Sequence, residues 1–314
     1  MIIAVLLLTL SSLCTCGMSL FRKQYEKVNG AGFLSVLLFL CLSTLVICMA
    51  VFLALGARIV LNPLSVILAL ALAIVSTLGV IVALVGLEYG NMTILTIFAR
   101  IGGIVLSCLY GLIFDASNNR LSVWKIVGFA FVFVILLLNF AKIKKIKNEQ
   151  EAEVETEVRD RKKQLVFIFL CILNFFNGLA LPILSMQTKY NPNYRALDFT
   201  ALYMLFQLGI SVVLFVIAYF VIKPCKESNE TVKRALIGRG LLWILAYAVP
   251  YFTGEYLSLV CAQTLPIIVQ APLSFTLSVV FIAVTDFLVY RERLSKKQLW
   301  QIGLAILTSV CFVL

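Results

Sequence analysis

Apolar residues in this chain come in long unbroken runs, and polar or charged residues fall in the short gaps between them. Ten runs are legible, near 1–19, 31–55, 63–88, 91–114, 122–141, 165–187, 200–222, 238–260, 264–289 and 297–314. Each approaches the ~20 residues that a helix needs to cross ~30 Å of hydrocarbon. None shows the period-two alternation of a lipid-facing barrel strand, so the runs predict helices, which satisfy their own backbone hydrogen bonds. The gaps at "EYGN" (88–91) and "AQTL" (262–265) are short enough to predict tight turns.

One stretch breaks the pattern. Residues 142–164, KIKKIKNEQEAEVETEVRDRKKQ, carry eight basic and six acidic residues. They read as a charged linker or short charged helix outside the membrane. The chain then divides into a first five-helix repeat at 1–141, the linker at 142–164, and a second five-helix repeat at 165–314. The first run, ending in Arg22-Lys23, lacks a positive leading region and a small-residue cleavage site, so it predicts a retained span rather than a signal peptide.

Composition sharpens this picture. Of 314 residues, 62% are hydrophobic and 13% charged, with a mean hydropathy of +1.06. Soluble domains lie nearer ~25% charged, so part of the solvent must be lipid. The net charge of +11 would suit nucleic acid if it formed a patch. Here the basic residues lie in gaps between apolar runs, where membrane topology puts them, and no nucleic-acid partner is expected. Nine cysteines are scattered, and the chain has no histidine. Neither a metal site nor a cofactor is expected, nor a disulfide framework.

The two halves share a pattern. The first ends "LYGLIFDASNNRLSVWKIVGFAFVFVILLL" and the second "VVFIAVTDFLVYRERLSKKQLWQIGLAILTSVCFVL". Each has an apolar span ending in Asp (Asp115, Asp286), then Arg-Leu-Ser (120–122, 293–295), a Trp (Trp124, Trp300), a Gly (Gly128, Gly303) and another apolar span. At an offset of 170, Leu87 falls on Leu257, Leu95 on Leu265 and Arg100 on Gln270. Sequential copies of an odd number of spans must enter the membrane from opposite sides. The prediction is an all-α integral membrane fold of ten transmembrane helices, two inverted five-helix repeats, the symmetry of many secondary transporters.

This plan resembles the drug/metabolite transporter superfamily, of the EamA type. The family's break before spans five and ten reads roughly Glu-x-Leu-(Ser/Thr)-x-x-Gln-x-x-Gly. In the second copy Glu292, Leu294, Ser295 and Gln298 match, with Gly303 two residues late. The first copy keeps Leu121, Ser122 and Gly128, with Asn119 in place of Glu. "IGGIVLSCLYGLIF" (101–114) is similar to the family's fourth span, and Ala271-Pro272 to the proline region of the ninth. With no histidine and few acids inside the spans, neither an enzyme nor a cofactor is expected. The resemblance implies export or uptake of a small metabolite by alternating access, coupled to protons or driven by exchange, in a multi-pass protein of the cell membrane.

Ionisable groups inside hydrocarbon cost ~2.5–3.5 kcal/mol on insertion scales and usually face a cavity or a partner. Arg100, about ten residues into the fourth span, is a fixed cation able to fork onto a carboxylate or phosphate. Glu255, inside the eighth span, and Glu88, ending the third, are candidate proton carriers. Asn174 and Asn177 share one helix face at i, i+3, and Gln207 and Gln270 add neutral hydrogen-bonding groups. Together Arg100, Gln270, Glu255, Asn174, Asn177 and Gln207 are the candidate substrate contacts. Each also has a structural reading as glue between helices. Gly102 and Gly103 suit close helix packing.

The expected partners are a small metabolite and the lipid bilayer, with the chain a monomer or homodimer. A flippase-like protein for lipid-linked headgroups and a non-transporting membrane subunit are the alternatives. Loops after odd-numbered spans, counted with the charged ends of the spans that follow them, hold 20 basic residues and those after even-numbered spans 5. That asymmetry places both termini outside by the positive-inside rule, whereas the family resemblance implies cytoplasmic termini.

Overall fold

A computed structural model of the chain describes residues 2–29, 33–55, 59–89, 92–115, 122–135, 157–221, 239–288 and 296–313. Among them every regular element is helical. In chain order these are α1 (Ile2–Asn29), α2 (Phe33–Leu55), α3 (Pro63–Tyr89), α4 (Met92–Phe114), α5 (Val123–Ile135), α6 (Glu157–Phe176), a 3₁₀ turn (Asn177–Leu179), α7 (Ala180–Tyr190), α8 (Ala196–Val221), α9 (Arg239–Thr264), α10 (Ile267–Leu288) and α11 (Lys296–Val313). Six segments are long and apolar enough to cross a membrane: Ile3–Asn29, Leu34–Ala54, Pro63–Val82, Leu165–Tyr190, Ala196–Phe220 and Arg239–Thr264. Shorter apolar helices occupy Ile101–Phe114, Val123–Ile135, Ile267–Ser278 and Ile302–Phe312. Most of the charged stretch lies outside the described residues, but from Glu157 onward it is helical and runs straight into α6.

Helix boundaries follow local chemistry. Asn62 caps α3: its Oδ1 accepts the backbone N–H groups of Leu64 (3.0 Å) and Ser65 (3.4 Å), and Pro63 takes the first helical position, where no N–H is needed. Ser122, the serine of the first repeated break, caps α5 by accepting the Lys125 N–H at 3.3 Å; its counterpart Ser295 lies outside the described residues. The sequence ends the first run near residue 19, yet α1 continues to Asn29. Arg22 and Glu26, one turn apart, carry this polar extension with an ion pair at 3.0 Å. Pro182 sits in the first turn of α7, after the 3₁₀ turn that separates it from α6.

Two compact units emerge. The first comprises Met1–Thr77 and Ile183–Thr264, the second Leu78–Pro182 and Leu265–Leu314. Each draws on both halves of the sequence. In the first unit α1 lies along α9, α2 lies against α8, and α9 touches both α2 and α8. Gly254 allows the α1–α9 approach: a methyl group there would come within 3.3 Å of Cys14 Cβ, and Ser11 Oγ donates to the Gly254 carbonyl at 2.9 Å. A ladder of rings, Tyr25–Phe39–Tyr247–Tyr251, crosses α1, α2 and α9 with successive centroids 4.5, 4.6 and 5.3 Å apart.

In the second unit α4 packs on α6 and the 3₁₀ turn, and α10 packs on α11 and α4. The α4 crossing is a backbone contact. A Cβ on Gly102 would overlap the Phe175 carbonyl, and one on Gly178 would overlap the Gly102 carbonyl carbon and Gly103 nitrogen. Small residues permit such an approach, as in helix pairs within lipid. The repeated glycines of the two breaks differ: Gly128 lies under the Phe312 ring, whereas a methyl on Gly303 would meet nothing.

Polarity runs opposite to that of a soluble protein. Leu53, Phe220, Ile3, Val123 and Trp300 are more than 70% exposed, while Ser43, Thr44, Gln207, Ser211 and Thr276 are fully buried. An apolar exterior over a polar-speckled interior is stable where hydrocarbon replaces water.

Candidate functional site

The first unit holds a buried polar chain built from two stripes. On α8, Tyr203, Gln207 and Ser211 recur every four residues, so one helix face carries all three. On α9, Tyr247, Tyr251 and Glu255 follow the same spacing. Pro250 inside α9 removes an N–H from this stretch, which frees the carbonyl one turn earlier.

Side chains from the two stripes meet. The Tyr251 hydroxyl donates to Gln207 Oε1, and the Tyr203 and Tyr251 hydroxyl oxygens lie 3.1 Å apart. Tyr251 has one proton and gives it to Gln207, so Tyr203 is the donor in the second bond. Ser76 of α3 interacts with the Tyr203 hydroxyl. The two bonds run one way, from Tyr203 through Tyr251 to Gln207, and each polarises the next.

The chain ends without a partner. Gln207 Nε2 and Ser211 Oγ are buried and make no hydrogen bond. A buried unmade hydrogen bond costs ~1–3 kcal/mol, and here two lie one turn apart on one helix face. Glu255 is half-buried, and its carboxylate interacts electrostatically with the Tyr203, Tyr247 and Tyr251 hydroxyls. Arg22 of α1 acts on Tyr247 from another direction, though its guanidinium already pairs with Glu26. The arrangement offers one carboxylate acceptor, two unused donors and a tyrosine wall.

Of the residues singled out in the sequence, Gln207 and Glu255 are brought together here. Asn174, Asn177 and Gln270 belong to the second unit. Asn174 and Gln270 are buried there, on α6 and α10. Asn177 opens the 3₁₀ turn, and its amide lies against Gly79 with no room for a methyl group between them. Arg100 lies on α4 and Glu88 on α3, and both side chains lie outside what is described. Tyr203, Tyr247, Tyr251 and Ser211 do not stand out in the sequence because tyrosine and serine vanish into an apolar run. The usable signal is the i, i+4, i+8 recurrence of polar atoms on each helix.

No family model matches the chain, and no curated protein matches it. A solved crystal structure is similar with a TM-score of 0.68 at 12% identity, over 98% of this chain and 95% of the other. At that identity the likeness is one of fold alone.

Proposed function

We propose that this chain is a secondary transporter that moves a small polar metabolite across the cell membrane by alternating access. On this reading it is a ten-span protein of two inverted five-helix repeats, of the EamA type within the drug/metabolite transporter superfamily. It binds solute without altering it, and protons or a counter-solute drive the cycle.

The observation that carries the reading is the one-way hydrogen-bond chain ending on Gln207, with the unpaired Ser211 hydroxyl one turn further on α8 and Glu255 acting on the same tyrosines. Interhelical glue alone would pair its polar groups. A transport site must instead offer groups that a solute completes on arrival and releases on departure. The bonds must be good enough for entry and weak enough for exit. The repeated Asp…Arg-Leu-Ser…Trp pattern supports the inverted repeat, and the similar basic breaks support its membrane placement.

A direct test loads proteoliposomes with a defined mixture of amino acids, organic acids, sugars and nucleosides and follows efflux by mass spectrometry. The reading expects one chemical class to leave faster than from protein-free liposomes. It expects Gln207→Leu to abolish the difference. Equal efflux of every solute from both preparations would sink it.

A further inference from the structure

The seam between the start of α3 and the α7–α8 turn is closed by a row of side-chain bonds in three tiers. Innermost, Gln187 Nε2 of α7 donates to Ser65 Oγ of α3 at 3.0 Å, and both residues are buried. In the middle tier, half-buried Asn191 donates through Nδ2 to Ser65 Oγ at 3.0 Å and to Asn62 Oδ1 at 3.2 Å. Outermost, the Tyr194 hydroxyl donates to the carbonyl of Val60, which is exposed. The partners are 122 to 134 positions apart in the chain, so the row is a tertiary contact and not a local turn.

Every group in the row is neutral. Water offers such groups equivalent bonds, so parting them costs little net free energy. Closure is also incomplete. Gln187 Oε1 is buried and has no hydrogen bond among the described residues, a penalty that water would relieve once the seam opened. A contact whose closed and open forms lie close in free energy suits a part that moves between two positions.

The row's place in the fold gives it a task. Thr188 Oγ1, in the last turn of α7, donates to the Ala262 carbonyl of α9 at 3.2 Å. The α7 end is thus fixed from its other side, and α3 is the element left to move. Three turns further along α3, Ser76 interacts with the Tyr203 hydroxyl, where the buried chain to Gln207 begins. The seam between α3 and α8 therefore has the row at its end and the chain deeper in.

We propose that this row is a gate on the path to Gln207, shut in this structure, and that the N-terminal end of α3 swings away from the α7–α8 turn to admit solute. The gate rests on the transport reading above and adds to it the element that moves. Displacing one element against a fixed neighbour is a general route to alternating access.

The test bridges the gate shut. In the full-length protein, Asn62→Cys and Asn191→Cys are joined by a short bis-methanethiosulfonate linker. Efflux of the mixture of amino acids, organic acids, sugars and nucleosides from proteoliposomes is then compared with that of equally treated wild type. The expected result is efflux slowed roughly tenfold or more in the bridged protein and regained when dithiothreitol removes the linker. The bridged protein should melt no lower than the unbridged variant, which separates locking from damage. Should this pair fail to fold, Val60→Cys with Tyr194→Cys, at the accessible tier, takes its place with the same expectation. Efflux by the bridged protein at the unbridged rate would overturn the gate and leave the transport reading standing. No solute-selective efflux from wild type would overturn both.

Discussion

Tyr251 gives one proton and receives another, so its hydroxyl is the middle of a chain rather than an end. Tyr251→Phe keeps the ring in its ladder but strands Gln207 Oε1 and turns the Tyr203 donor toward nothing. A loss of ~1–3 kcal/mol is expected in chemical unfolding of the detergent-solubilised protein. Because Gln207→Leu removes the same bond, the double variant should lose clearly less than the sum of the two single losses. Additive losses would mean that the two groups act independently. Tyr194 gives a pH signature. Burial, and then the Asp198 carboxylate, raise its pKa above the ordinary 10.0. A raised value means that the folded state holds the proton more tightly. Its contribution is therefore whole below pH 10 and lost as pH climbs through the folded value. Melting curves from pH 9 to 11.5 should show an alkaline decline that is smaller in Tyr194→Phe. At this scale the sequence exposes Gln207 and Glu255 because amides and carboxylates stand out in an apolar run. It hides Tyr203 and Tyr251, whose meaning comes from the bonds they make between helices.

Helices were the most legible part of the chain, since a 20-residue apolar run allows few other structures in lipid. Their ends were less so. The α1 helix outlasts its apolar run by about ten residues because Arg22 and Glu26 sustain a polar turn. The run that reads as one sixth span is broken by a 3₁₀ turn at Asn177–Leu179, where two glycine-bearing segments touch backbone to backbone. Gly102 and Gly103 both suit close packing by sequence, but only Gly102 has its Cβ direction filled. Gly102→Ala and Gly178→Ala should each destabilise by ~1–3 kcal/mol or prevent folding, through overpacking against backbone that cannot yield. Gly103→Ala should be tolerated, since a methyl group there meets nothing within 4 Å. Thermal melting of the three variants checks this, and equal losses at all three positions would refute the crossing.

For the whole molecule, the exposed apolar side chains and buried hydroxyls and amides are compatible with lipid as the surrounding medium, as composition also is. The basic residues crowd the loops after odd-numbered runs, which by the positive-inside rule would place both termini outside, whereas the family resemblance would place them inside. Single-cysteine labelling at a terminus in intact cells should report that side, and labelling only after permeabilisation would favour the opposite orientation. The central claim is that the α8–α9 chain accepts a solute. It is tested most directly by thermal shift of the purified protein against metabolites grouped by charge, with Glu255→Gln and Tyr251→Phe in parallel. A binder at about 100 times its Kd should stabilise by ~2.7 kcal/mol. The account predicts that one group of solutes raises the melting temperature of the wild type and that both variants lose the shift. If no group shifts the wild type, or if the shift persists in both variants, the solute is not held at this site.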